Sequence, residues 1–456
     1  MKRVTIVAAT LIAGAASAEP TPMEHVLISV PIHKKQAETA LPVTVLSGEE
    51  LQRRAAATIG ETLGEIPGVA NASFGPGVGR PVIRGQQGPR AITLQNGTLS
   101  ADVSGLSPDH SVSVEALLAD SIEVLRGPST LLYGGGAIGG VVNVIDNRIP
   151  RAPIDGIEGA AEYRYDEAAD MDSGVARVEG GNGAIAFHLS GTTRETDDLE
   201  IPGRAIDVAA LERQEELRGA HGEEEHDEEH DEEDHEHEEV ENTDGFIANT
   251  DSETDVVTGG VSYHLGDEGF AGLAVSHLES QYGIPPGSHE HHAEEEHLGE
   301  EEHLGEDEEH GEEEGPETIR LDVEQTRYDA MVHLHDPMAG FDMLRGFVTY
   351  TDYQHTELEG TETGTVFDRE TWETRLELVH DVLLGAHGVI GLQWRGDQFE
   401  AIGEEAFVPR TTSDELGLFL IEDFHSGDWT FEVGLRGDWV ERDPQAQSAD
   451  TEDFSV

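Results

Sequence analysis

Cysteine is absent from the 456-residue chain, and this absence excludes disulfides, thiolate metal sites and cysteine nucleophiles. Methionine is scarce, with 6 residues, so a thioether route for copper(I) has little support. Basic residues are scarce too: 27 Lys and Arg stand against 95 Asp and Glu, which gives a net charge of −68. Phosphate binding requires a basic patch, so we expect no nucleic acid among the partners. Metal cations are more compatible with this negative net charge than nucleic acid is.

One long apolar run occurs, at the N-terminus. Lys2 and Arg3 precede it, residues 4–15 form it, and Ala16-Ser17-Ala18 supplies a small-x-small cleavage site. This order predicts a secretory signal peptide over residues 1–18. No later stretch reaches the ~18 apolar residues that a membrane-spanning helix needs, so a membrane location would require a β-barrel.

Three regions follow the signal peptide. Residues 19–40 are polar apart from "HVLISVP", and residues 41–150 are Gly-rich and typical of a compact α/β domain. Residues 151–456 alternate, as in "WTFEVGLRGDWV", where Trp429, Phe431, Val433, Leu435 and Trp439 share one strand face. About eleven such strands, with alternately short and long connections, favour an outer-membrane barrel over a soluble β-sandwich or β-helix.

Histidine and acid are concentrated in two segments, residues 221–239 and 289–314. Together they hold 27 Asp and Glu and 11 of the 23 His, with no Lys or Arg. They have little to bury, so we expect disordered external connections that hold cations weakly at many interchangeable places. A solvated charge run would explain the carboxylates but not the recurring histidines. These are His221, His226, His230, His235, His237, His289, His291, His292, His297, His303 and His310.

Gly134, Gly136 and Gly139 match the spacing of a dinucleotide-binding fingerprint. That fingerprint requires a helix after the glycines, whereas the residues that follow are "GVVNVI", which are β-branched and typical of a strand. We therefore reject cofactor binding here and expect the glycines to permit tight turns between short strands.

Two motifs in the Gly-rich region resemble the plug domain of TonB-dependent outer-membrane receptors. They are "RPVIRGQQGPRAITLQNG" and "VLRGPSTLLYGGGAIGGVVNVI", and "HVLISVP" stands where such a receptor carries its TonB box. The resemblance implies a box segment and linker over residues 19–40, a plug over 41–150, and a transmembrane β-barrel from residue 151 to 456. Family barrels have 22 strands, so we expect about the first half of one here.

The same resemblance implies a location and partners. The location is the outer membrane of a Gram-negative bacterium, and the activity is transport rather than catalysis. The partners are outer-membrane lipid and a TonB-type energy-transducing protein in the periplasm, which would engage the box near His25 to Pro31.

Ser107-Pro108-Asp109-His110 narrows the resemblance to zinc-uptake receptors of the ZnuD type, which carry this tetrapeptide in a plug loop beneath His/acid-rich external loops. It implies zinc as the transported ligand, no resident cofactor, and Asp109 and His110 as metal ligands. A Pro-Asp turn, with Asp109 bonding the backbone, is the competing interpretation. "YQHTELEG" offers His355 and Glu357 just past the end of a strand, where a solvated hairpin end is the competing interpretation.

Other functions remain open at this level. Nickel, haem or an iron chelate could be the cargo of the same fold, because ligand type alone does not settle the ion. A surface protein that sequesters metal without importing it would not need a plug or a box. A secreted metallohydrolase is disfavoured because the sequence contains no HExxH or comparable spacing.

Overall fold

The computed structural model describes residues 43–134, 136–208, 210, 213, 242–286, 318–360, 362–383, 386–403, 406, 408–426 and 429–445. The signal peptide, the box segment and both His/acid-rich segments lie outside the described residues. Within them, no helix has the length and apolar character needed to cross a membrane.

The N-terminal domain combines short strands with short helices. Its elements are β1 (Val43–Ser47), α1 (Gly48–Arg54), α2 (Ile59–Leu63), β2 (Val69–Ser73), β3 (Gly79–Ile83), β4 (Ala91–Gln95), β5 (Thr98–Leu99), β6 (Ser121–Leu125) and β7 (Gly140–Ile145), with 3-10 turns at Gly88–Arg90, Ala116–Leu118 and Gly127–Tyr133. Five strands form one sheet in the order β1-β6-β7-β4-β5, in which β4 and β7 are parallel, and β2 pairs with β3 separately. The strand β1 is therefore an edge strand.

Local chemistry explains two of these elements. Helix α2 begins after Thr58, whose hydroxyl accepts a hydrogen bond from the Glu61 amide at 3.3 Å, as an N-cap does. The glycines before β7 permit the turn predicted for them. Gly134 has a φ of 114°, and a Cβ on Gly139 would lie 2.5 Å from the Gln86 Cβ. The strand that follows confirms that no dinucleotide fingerprint is present.

The C-terminal region is an antiparallel sheet of eleven strands within the described residues, accompanied by a small hairpin. Its strands are β8 (Asp155–Asp166), β9 (Met171–Asn182), β10 (Ile185–Thr196), β11 (Leu199–Arg204), β12 (Asp244–Ile247), β13 (Ser252–His264), β14 (Gly269–Gly283), β15 (Ile319–Met338), β16 (Phe341–Glu359), β17 (Glu362–Leu383), β18 (Ala386–Gly403), β19 (Thr411–Ser426) and β20 (Trp429–Pro444). The pair β11–β12 is the separate hairpin, and the others form a partial barrel in chain order with β8 and β20 at its edges.

Strand β17 shows how alternation sorts the two faces of this sheet. Trp372 and Leu376 are 49% and 45% exposed, whereas Glu373, Arg375 and Glu377 are at most 1% exposed. The apolar side chains thus point outward and the charged ones inward, which is the reverse of a soluble sheet and the expected arrangement for a wall in lipid.

The plug packs against the inward face of this wall. One core cluster joins Leu132, Tyr133 and Val141 of the plug to Phe419 and Ile421 of the wall. A second cluster joins Val78 and Val103 of the plug to wall residues of β13 to β18. The connections after β10 and after β14 are long, and both leave from the end of the wall opposite the short turns that follow β9, β13, β15, β17 and β19. Long connections are extracellular in outer-membrane barrels, so this end faces outward from the cell.

The outward face yields a test of the wall's environment. Replacing Leu376 with Arg puts a charge into lipid, which should lower the free energy of unfolding by about 2–4 kcal/mol if the side chain lies near the bilayer midplane. Urea titration of the full-length receptor in lipid vesicles measures this, with Leu376→Met as the matched control. Equal stability of the Arg and Met variants would show that Leu376 does not face lipid.

Candidate metal centre

The plug contributes one buried histidine through a loop that several polar contacts hold in place. One guanidinium nitrogen of Arg80, on β3, donates to the Ser104 and Ser107 carbonyls at 2.8 Å each. Asp102 accepts from the amides of Ser104 and Ser113 at 3.1 and 3.3 Å. These contacts fix the loop between β5 and the Ala116–Leu118 turn. The His110 ring is fully buried against the wall as a result.

The wall contributes His355 and Glu357, which lie inside β16 rather than beyond its end. Each residue is paired in register, His355 with Val323 and Glu357 with Leu321 of β15. Because alternate residues share a strand face, Tyr353, His355 and Glu357 all point inward. His355 and Glu357 are 0% and 4% exposed, so the competing interpretation of a solvated hairpin end is wrong.

His110, His355 and Glu357 form a compact cluster in which one potential ligand atom from each residue lies within 4.8 Å of the others. The Nε2 atoms of His110 and His355 lie 2.8 and 3.8 Å from Glu357 Oε1. The two imidazole rings are 4.3 Å apart between centroids. In a tetrahedral zinc site, bonds of about 2.0–2.1 Å place ligand atoms roughly 3.3 Å apart. Shifts of about half an ångström would bring both Nε2-to-Oε1 distances to this value, and the remaining separation is at most 4.8 Å.

The His110 ring has an unusual hydrogen-bond arrangement. Its Nδ1 lies 3.2 Å from the Val103 carbonyl, which can only accept, so Nδ1 carries a proton. In a neutral ring, the Nε2 lone pair would then face a carboxylate oxygen. Either a second proton or a cation relieves this repulsion. Burial opposes protonation, but the hydrogen bond to Glu357 and the charge of Asp109 raise the pKa of His110 above its ordinary value.

The outer contacts of the cluster are those of a metal site. Histidine ligands usually use their second ring nitrogen for an outer hydrogen bond, which fixes the ring. Here His110 Nδ1 contacts the Val103 carbonyl and His355 Nδ1 contacts the Tyr353 hydroxyl at 3.1 Å. His355 Nε2 is buried and has no hydrogen-bond partner among the described residues. Both Nε2 atoms are thus directed at the same small volume.

Asp109 lies beside this cluster and not within it. Its side chain is 1% exposed, and its carboxylate accepts a hydrogen bond from the Ser107 hydroxyl. Its carbonyl accepts from the Tyr282 hydroxyl of β14 at 3.3 Å. The negative charge of Asp109 acts on both His110 and Arg80. The structure therefore brings together three of the four described residues expected to bind metal, with the fourth adjacent.

Sequence reasoning missed the residues that support the cluster. Tyr353 orients His355, Arg80 holds the His110 loop, and Phe367 of β17 packs edge-on against both imidazole rings at 5.1 and 5.5 Å. Tyr353 could have been identified from the sequence, because it lies two residues from His355 on the same strand face. Arg80 and Phe367 carried none, since their contacts join distant parts of the chain. The eleven histidines of the two acid-rich segments lie outside the described residues.

Comparison with known families decides the class of protein. The family described as TonB-dependent Receptor Plug Domain matches residues 35–141. The family described as TonB dependent receptor-like, beta-barrel matches residues 317–455. Both the plug and the wall are therefore recognised. The chain belongs to the TonB-dependent receptor family.

Individual relatives share the fold of this TonB-dependent receptor at low sequence identity. The hemin receptor of Yersinia pestis is 34% identical over 106 residues, which are 23% of this chain and 15% of that protein. The copper transporter OprC superposes with a TM-score of 0.63 at 14% identity, over 89% of this chain and 56% of that one. The siderophore receptor PirA from Acinetobacter baumannii gives 0.58 at 16%, over 89% and 57%. The chain thus spans little more than half the length of these structures.

Membership confirms the predicted family, fold and location. TonB-dependent receptors are β-barrel proteins of the Gram-negative outer membrane, and they are transporters, not enzymes. The plug and the alternating wall were both predicted from the sequence. The names of the three relatives refer to hemin, copper and siderophores. Any argument for zinc as the cargo is therefore based on the cluster and not on these comparisons.

Proposed function

We propose that this receptor takes up a divalent transition-metal ion, zinc in the first place, across the outer membrane, and that His110, His355 and Glu357 bind it. The observation that carries the proposal is the convergence of two imidazole Nε2 atoms on one carboxylate oxygen, with both Nδ1 atoms already held by outer partners. Buried polar atoms usually have partners, so the unpartnered Nε2 of His355 beside a carboxylate supports a cation as the third participant.

The donor set selects the class of ion. Two nitrogens and one oxygen suit zinc and its neighbours, whereas calcium and magnesium require oxygen ligands. Three protein ligands also leave a fourth position open, through which an ion can enter and leave. Nitrogen and oxygen ligands bind copper(II) more tightly than zinc in general, so metal supply and competition have to be part of any test.

The place of the cluster supports uptake. It lies near the end of β16 from which the wall's long connections leave, so an ion arriving from outside reaches it first. The segments at residues 221–239 and 289–314 belong to those connections. We propose that they raise the local ion concentration and that the cluster selects from what they collect.

Haem is a second candidate cargo, because one relative is named a hemin receptor. That similarity covers 23% of this chain. The cluster histidines are both 0% exposed and are packed against Phe367, whereas an iron porphyrin needs a histidine that presents an open face. A bare ion suits this geometry better.

Calorimetry on the full-length receptor without residues 221–239 and 289–314 tests the ligands. One tight zinc site should remain, and His110→Ala, His355→Ala or Glu357→Gln should each weaken it by roughly 100-fold or more, which is about 2.7 kcal/mol. His277→Ala is the matched control, because His277 lies 3.1 Å from Glu279 but is partly exposed and outside the cluster. Unchanged zinc affinity in all three variants, or tight haemin binding without zinc binding, would remove the zinc assignment.

The two acid-rich segments should act through concentration alone. Replacing both with Gly/Ser linkers of equal length should slow zinc accumulation when zinc is scarce and have no effect when it is abundant. High salt should reduce the difference, because it screens the segments' charge. Zinc-65 accumulation by cells at several zinc and salt concentrations measures this. A defect that persists at saturating zinc would show that the segments do more than collect ions.

We also propose that the segment from His25 to Pro31 pairs with a TonB-type protein in the periplasm, as an added strand. Replacing Ile28 with Pro removes a backbone donor from that pairing and should stop zinc accumulation while surface binding survives. Ile28→Val is the control. Undiminished accumulation by the Pro variant would rule out this segment, and binding without accumulation in the unaltered receptor would indicate sequestration instead of transport.

A further inference from the structure

A small polar cavity between plug and wall is lined by residues that neighbour the metal cluster, although no cluster residue lines it. Its volume is about 40 Å³, which is room for an ion and a few water molecules. Ser111 and Ser113 line it from the plug, and Thr254, Ser280 and Tyr282 line it from β13 and β14. Ser111 follows His110 directly, and the Tyr282 hydroxyl accepts a hydrogen bond from the Ser111 amide at 3.0 Å. An ion that leaves the cluster on this side enters a space lined by hydroxyl groups.

A larger cavity of about 360 Å³ lies farther along the same plug segment. The plug lines it with residues 116–120, and the wall lines it with Arg177 of β9 and with His188 and Ser190 of β10. His188 and Ser190 lie near Ile185, where β10 has its short turn, so this cavity is nearer the periplasm. The two cavities therefore follow each other down one side of the plug.

One ion pair stands between the two cavities. Glu115 of the plug and Arg194 of β10 are 2.9 Å apart, and their side chains are 4% and 7% exposed. Both residues line the upper cavity. Ala116, which follows Glu115, lines the lower cavity, and so do Ser190 and His188, which precede Arg194 on β10. The pair thus lies at the end of the upper cavity that is nearer the lower one, and Thr192 is buried between Arg194 and Ser190 on the same face of β10.

We propose that the Arg194–Glu115 ion pair is the gate of a cation passage that runs along plug residues 111–120 beside β10 and β13. The identity of the ion that uses this passage rests on the proposed function. A buried guanidinium in a narrow path repels a cation as well as blocking it, and its carboxylate partner keeps it in place. Opening requires that Glu115 be drawn away from Arg194.

Below the gate, the lower cavity offers ligands that a cation can use. His188 Nδ1 lies 2.8 Å from Glu179 Oε1, and both side chains are largely buried. Asp120 of the plug faces Arg177 across the same cavity at 3.0 Å. Arg164 and Arg177 also line this cavity and pair with Glu162 and Asp120, so an ion that has passed the gate meets a space with balanced charge.

The plug sheet connects this gate to the N-terminal segment. The edge strand β1 pairs along its whole length with β6, from Val43 with Leu125 to Ser47 with Ser121. Strand β6 follows the Ala116–Leu118 turn, and that turn follows Glu115. A pull on the chain before Val43 acts on an edge strand that can separate from its neighbour one hydrogen bond after another. Until β1 separates, the pull is transmitted to β6 and, through the short turn, to Glu115.

Ion flux through the full-length receptor in liposomes tests the gate without any energy source. Glu115→Ala combined with Arg194→Ala removes the pair without leaving a buried charge unpaired. This variant should let zinc ions reach an internal indicator at least tenfold faster than the unaltered receptor, while raffinose stays excluded. Exchanging the two residues, Glu115→Arg with Arg194→Glu, should restore closure. The matched control removes the pair formed by Asp251 and Arg320, 2.7 Å apart at the outer end of the wall.

A second measurement covers the case in which the double variant folds poorly. The chain lacks cysteine, so Glu115→Cys with Arg194→Cys gives a single thiol pair that a short bis-methanethiosulfonate can bridge. Bridged receptors should stop accumulating zinc in cells and should recover with dithiothreitol, with zinc binding at the cluster unchanged throughout. Normal accumulation by bridged receptors overturns the gate.

The outcomes separate the gate from the cargo assignment. Entry of raffinose together with zinc would mean that the plug has left the wall, and equal zinc flux in the variant and the control would mean that the pair blocks nothing. Either result overturns the proposal. Gated potassium flux in a receptor that binds no zinc would support the passage while removing zinc as its cargo.

Discussion

The wall has to satisfy two different surroundings through strands whose side chains alternate. Lipid outside admits apolar side chains, so charged residues such as Glu373, Arg375 and Glu377 lie on the face that meets the plug. An unpaired buried charge costs several kcal/mol, so each inward charge needs a partner in the plug or on a neighbouring strand. Arg375 shows both solutions, because it contacts Glu377 at 2.7 Å and donates to the Leu132 carbonyl of the plug at 2.7 Å. Contacts of this kind hold the plug against the wall.

Glu357 differs from Asp329 and Asp397, two other inward carboxylates of the wall, in what it faces. Asp329 is paired with Arg327, and Asp397 with Arg369. Glu357 instead meets two imidazole rings, one from the plug and one from its own strand. An arginine in their place would neutralise Glu357 permanently, whereas two histidines leave the positive charge to be supplied by a proton or a metal ion. Because the proposed ligands are divided between plug and wall, any motion of one against the other would change how many of them an ion keeps.

The parts of this structure that depend on local pattern could be predicted from the sequence, and the parts that depend on distant contacts could not. Strand alternation gave the correct number of strands in the main sheet, and the residues after Gly139 were recognised as a strand. His355 and Glu357 were expected beyond the end of a strand. A run of polar residues resembles a solvated hairpin end in the sequence, because the sequence does not show that the plug packs against this face of β16. The Asp109 side chain was expected to join the ligands, yet the Ser107 hydroxyl two residues earlier accounts for one of its oxygens. Arg80 and Phe367 act across the fold, so no local signal marks them.

Anomalous diffraction from crystals of the full-length receptor grown with zinc, recorded on both sides of the zinc absorption edge, would locate the bound ion. We predict one strong peak between the Nε2 atoms of His110 and His355 and a carboxylate oxygen of Glu357, with bonds of about 2.0–2.2 Å. A strong peak elsewhere with none at this cluster would contradict it.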